Sequence, residues 1–158
     1  MINQERQEFE QLSFPEIEFL AEEEIVDIIP SIRTEEEVDV VTGRYGPFRP
    51  GEQTQVPLWM ASLLRKKRQC TLCLPDWMRE DSLIQTLNYE QTQGQFSALP
   101  FRYSEIAKLL LDTGSEDFQN SQKLRSLIHD IELTRKTKLE ASIKQIERAE
   151  ELRVVCHF

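Results

Sequence analysis

The sequence predicts an α+β fold, mainly α: a small N-terminal β-rich domain followed by a helical, bundle-like domain. Three observations carry that expectation. Short β-branched runs and a cluster of Gly43, Gly46, Pro47, Pro50 and Gly51 lie before residue 57, the punctuation of strands and turns. From Pro57 onward apolar residues recur at spacings of three and four, the helical period. Charge divides the same way: residues 1–60 hold 14 Asp/Glu against 4 Lys/Arg, a balance of -10, and the remainder, with 14 acidic and 15 basic, stands at +1.

Taken in order, residues 1–14 are polar and are expected to form a disordered lead. They contain no apolar core of the kind a secretory leader needs. A short helix starts at Pro15, a residue suited to a first turn, with Ile17, Leu20 and Ala21 on one face. Ile25 to Ile29 reads as a strand stopped by Pro30. A second strand covers Val38 to Thr42 and a third Thr54 to Val56, so residues 15–56 form the β-rich domain. A few short strands are rarely stable alone, so this sheet must lean on another element.

The helical domain, residues 57–158, opens with Pro57 at the first helical position. Trp59, Met60, Leu63 and Leu64 supply the apolar spacing. Arg65-Lys66-Lys67-Arg68 closes the helix with positive charge at its negative end. Residues 69–75 are an extended link. A second helix runs from Asp76 to Gln91, a third from Tyr103 to Asp112 with Gly114 as its stop. The last and longest runs from Asn120 to Glu151. Its apolar stripe is Leu124, Leu127, Ile128, Ile131, Leu139, Ile143 and Ile146, interrupted by Arg135. Roughly 30 residues at 1.5 Å rise make about 45 Å, more than so small a core covers. A bare apolar stripe marks a partner surface. The expected partner interface is therefore Leu124, Ile128, Ile131, Arg135, Leu139, Ile143 and Ile146. Arg135 either snorkels to water or reaches a carboxylate across that interface. Pro57, Trp59, Met60 and Trp77 are the expected core joining the two domains.

Catalytic patterns are missing from the sequence. It contains no Gly-x-Ser-x-Gly elbow and no Gly-x-x-x-x-Gly-Lys or Gly-x-Gly-x-x-Gly phosphate loop. Neither an activity nor a cofactor is expected. His129 beside Asp130 has no placed nucleophile and reads as a solvated helical histidine. Cys70 and Cys73 have the spacing of a metal or redox pair, but the remaining soft ligands, Cys156 and His157, are adjacent at the far end. Core thiols are the better reading, and three cysteines make no disulfide framework. A reducing compartment, cytosol or nucleus, follows. Arg65 to Arg68 reads first as a solvated helix end. The alternative is a small nucleic-acid-binding module on those four residues, which the acidic front end disfavours. No run of residues reaches the ~18–20 apolar positions of a membrane helix.

The punctuation of the chain also carries a resemblance. The stretches are Ile17-Glu18-Phe19-Leu20-Ala21-Glu22, Ile28-Ile29-Pro30, Gly46-Pro47-Phe48-Arg49-Pro50, Val56-Pro57-Leu58-Trp59-Met60-Ala61, Cys70 and Pro75-Asp76-Trp77-Met78. Leu99-Pro100 with Tyr103, Leu109-Leu110-Leu111, and Arg125-x-Leu127-Ile128-x-Asp130-Ile131-x-x-x-Arg135-x-x-Lys138 follow. In that order and spacing, over residues 16–145, the chain resembles the Psf-two type subunits of the eukaryotic GINS complex. The resemblance implies a nuclear, non-catalytic scaffold in a heterotetramer with Sld-five, Psf-one and Psf-three type subunits. Through that tetramer it implies the MCM ring and the Cdc-forty-five protein, partners in the CMG replicative helicase, with DNA contact indirect. Family members carry a further helix after the long one. Its absence here is expected to leave an apolar groove open.

Overall fold

The structure, a computed structural model, describes residues 14–155. All but the last residue of the expected disordered lead, and Cys156 with His157, fall outside it. The fold is the α+β, mainly helical one expected, and the described chain divides into two compact units, each built from two stretches of sequence. One takes the chain up to Pro75 together with Phe101–Gln119; the other takes Asp76–Pro100 and the chain from Asn120 onward.

In the first unit, helix α1 (Phe14–Glu22) leads into strand β1 (Ile25–Pro30). β1 alternates as a half-buried strand should: Val26, Ile28 and Pro30 are buried, Ile25 and Ile29 exposed. β2 (Val38–Val40) and β3 (Gly43–Tyr45) pair only with each other, as an antiparallel hairpin. The main sheet instead has the order β4-β1-β5, with β4 (Thr54–Pro57) and β5 (Cys70–Leu72) both antiparallel to the central β1. The expected three strands are present, but Val38–Val40 is not in the sheet with β1, and the extended link supplies the third strand. Pro57 lies at the end of β4 with extended backbone, one residue before helix α2 (Leu58–Lys66), rather than at the first helical position. Helix α4 (Tyr103–Gly114) packs against α1, α2 and β5. Ile28, Val56 and Leu72 from the sheet, Leu58 and Ala61 from α2, and Ile106, Leu110 and Leu111 from α4 form the buried core.

In the second unit a single 3-10 turn (Asp76–Met78) precedes α3 (Glu80–Thr92), so the helix expected from Asp76 begins four residues later. α3 packs along α5 (Ser121–Val155). Met78, Leu83, Leu124, Leu127, Ile128 and Ile131 fill the space between these elements. α5 has 35 residues and α3 has 13, about 52 Å against about 20 Å. α3 therefore covers the N-terminal part of α5 and stops.

Candidate interaction surface

That mismatch in length divides the α5 stripe. Leu124, Ile128 and Ile131 are 1%, 7% and 0% exposed, whereas Leu139, Ile143 and Ile146 are 51%, 54% and 59% exposed. Of the expected interface residues, Leu124, Ile128 and Ile131 are covered where α3 packs along α5, and Leu139, Ile143 and Ile146 are the part left bare. Residues 139–149 of α5 are exposed on all sides.

Arg135 stands where the two halves meet, and its carboxylate is in its own chain. Its Nε donates to Glu90 Oε1 at 2.8 Å, and one terminal nitrogen donates to the Ser97 carbonyl at 2.7 Å and to Ser97 Oγ at 3.0 Å. Lys138, one turn on, donates from Nζ to Glu90 Oε2 at 2.6 Å and to the Gln95 carbonyl at 3.0 Å. Ser97 completes the group, with its backbone N–H and its hydroxyl both donating to Glu90 Oε1, at 2.8 and 2.7 Å. Glu90 is fully buried. Burial alone would raise its pKa, but the hydrogen bonds from Lys138, Ser97 and Arg135 outweigh that and hold it down at about 2. The result is a clamp that ties the loop after α3 to α5. It also presents the half-exposed Phe96 ring, with the Arg135 guanidinium 5.4 Å and the Lys138 ammonium 5.6 Å from its centre.

Glu90 is the residue that the sequence reading missed. It follows Leu83 and Leu87 at helical spacing, which puts a carboxylate on the apolar face of α3. Arg135 breaks the apolar stripe of α5 in the same way. Two opposite charges on two apolar faces were the signal for a buried pair.

The basic run is divided too. Arg65 Nε donates to Asp117 Oδ2 at 2.6 Å, and a terminal nitrogen to Glu116 Oε2 at 3.2 Å. The hydrogen bond to Asp117 raises the pKa of the guanidinium further. Asp117 Oδ2 also accepts the Leu72 backbone N–H at 3.1 Å, which closes an edge of the main sheet against further strand pairing. Lys66, Lys67 and Arg68 remain exposed. Cys70 and Cys73 are free thiols, Cys70 buried and Cys73 half-buried. Burial, with Asp117 close by, pushes the Cys70 thiol up to about 11, and burial raises Cys73 as well, the opposite of a reactive pair. Among the described residues no group of His, Cys, Asp and Glu is placed to hold a metal ion. Likewise no described helix is long and apolar enough to cross a membrane. His129 is exposed on α5. Pro57 and Met60 are buried and Trp59 half-buried in the first unit, while Trp77 is half-buried in the second.

Comparison with known proteins places this arrangement. The family model for the PSF2 N-terminal domain matches residues 13–73. The chain is 36% identical over 137 residues to the DNA replication complex GINS protein PSF2 of Homo sapiens, covering 86% of this chain and 74% of that one. It is 31% identical to the probable counterpart of Caenorhabditis elegans, covering 89% and 76%. With the psf2 protein of Schizosaccharomyces pombe it shares 31% identity, covering 85% and 73%. With the β4-β1-β5 sheet inside the matched residues 13–73, and more than four fifths of the chain aligned to these relatives, the chain belongs to the PSF2 family of GINS proteins.

Proposed function

We propose that this chain is a non-catalytic scaffold subunit of a GINS-type DNA replication complex in the nucleus. Its partners are the Sld-five, Psf-one and Psf-three type subunits. Through that tetramer it joins the MCM ring and the Cdc-forty-five protein in the CMG replicative helicase, in initiation and elongation, with DNA contact indirect and no cofactor. Family membership carries the reading. The surface that serves it best is the uncovered half of α5, where Leu139, Ile143 and Ile146 are each more than half exposed. Three large aliphatic side chains in one line, on a stretch of helix exposed over residues 139–149, make a helix-in-groove contact.

Co-expression with the three partner subunits tests it. The unaltered chain is expected to co-purify in a one-to-one-to-one-to-one complex. Ile143→Glu with Ile146→Glu should abolish that co-purification and leave the circular dichroism of the isolated chain unchanged. An unchanged tetramer yield would remove these residues from the interface. Failure of the unaltered chain to enter any such complex would remove the assembly itself.

A further inference from the structure

The uncovered half of α5 carries a charge pattern that the assembly reading does not use. On a helix turning about 100° per residue, Leu139, Ile143 and Ile146 form one line. Lys136, Glu140, Lys144 and Glu147 all fall on the same flank of it, and all are exposed. The other flank holds Ser142, Gln145 and Ala149, together with Lys138, whose ammonium is bound by Glu90. Along the charged flank the order is plus, minus, plus, minus. Read backwards it is minus, plus, minus, plus. The flank is therefore complementary to its own reverse.

When two identical helices pair antiparallel about a two-fold axis, each flank meets the same flank of the other copy; when they pair parallel, it meets the opposite flank. Only the antiparallel pairing brings these charges together. With the axis near Ser142, Lys136 faces Glu147 of the second copy and Glu140 faces its Lys144, and symmetry repeats both contacts. The same register sets Leu139 against Ile143 of the second copy. It brings Ile146 of that copy level with Thr137 and Lys138, beside the half-exposed Phe96 ring that Lys138 holds.

We propose that the free chain self-associates through this face, as an antiparallel two-fold dimer of α5 helices, and that a second copy occupies the stripe when no other subunit does. The inference shares a stripe with the assembly reading but none of its partners, so each can fail alone.

Sedimentation equilibrium of the full chain by itself, over a roughly hundredfold range of concentration, tests it. A reversible monomer–dimer equilibrium is expected, lost in Ile143→Glu. Lys136→Glu and Glu147→Lys, each alone, put like charges opposite one another at two symmetry-related contacts, which should raise Kd roughly three- to tenfold. The double variant should return Kd to that of the unaltered chain. Mixing the two single variants should give a heterodimer in preference to either homodimer. All three positions are exposed, so the helix content of the variants should not change. A monomer at every concentration overturns the proposal, as does a dimer indifferent to the reversals or one that the double reversal does not restore.

Discussion

Glu90 shows how much a single side chain decides in this fold. Its carboxylate is fully buried and accepts from Arg135, Lys138 and both donors of Ser97. Glu90→Gln keeps the shape and removes the charge, leaving two cations facing a neutral amide in a partly dry site. A loss on the order of 3 kcal/mol is expected from the urea midpoint at neutral pH. The pH dependence has a definite sign. The folded pKa of about 2 lies below the ordinary value of 4.5, so the stabilisation is full above the unfolded pKa and fades as pH falls from about 4.5 toward 2. Between those limits the unaltered chain should lose stability more steeply than Glu90→Gln, and equal slopes would show that Glu90 does not hold its low pKa. None of this was plain from the residue type. A glutamate near a helix end usually faces water, and only its seven-residue offset from Leu83 set it apart.

At the scale of elements, the helices were legible because their period is local, while the sheet partnering was not. β5 is three residues long and lies between a basic run and Pro75, and its pairing to β1 is fixed by packing under α2 and α4. The apolar stripe of α5 was equally plain. Its division was hidden, because that depends on where α3 stops. Gly114 was expected as the stop of α4, and α4 ends there, although its φ is not positive. A Cβ there would come within 2.6 Å of the buried Leu72 Cδ1, so the glycine permits the close approach of α4 to β5 instead. The left-handed residue after α2 is Arg68, with φ 57°, and its N–H donates to the Arg65 carbonyl at 2.8 Å. Glycine adopts that conformation without a Cβ clash. Arg68→Gly should therefore stabilise the chain by about 0.5–1 kcal/mol, read as a rise in the urea midpoint at constant m. A fall would mean that the arginine side chain makes a contact worth more than the strain.

For the whole chain, the overall class and the family followed from composition, punctuation and motif order. The grouping into discontinuous units did not, because hydrophobic period says which faces are buried but not which stretch buries them. The second unit depends on α5 for nearly all its apolar cover. A chain stopped at Gln119 should leave Met78 and Leu83 without Leu124, Leu127, Ile128 and Ile131. Such a chain should bind a hydrophobic dye and be cut by protease within residues 76–100, with protection retained around β1 and α2; protection of residues 76–100 would show that α3 is stable without α5. The same connectivity has a consequence for synthesis. The strand and helices up to Pro75 cannot finish packing until α4 has left the ribosome, and α3, made before α4, has to wait longer still for α5. The polypeptide therefore emerges with its third helix uncovered for about 40 residues of translation, several seconds at ordinary elongation rates, an interval in which a chaperone or a wrong helix can reach it first.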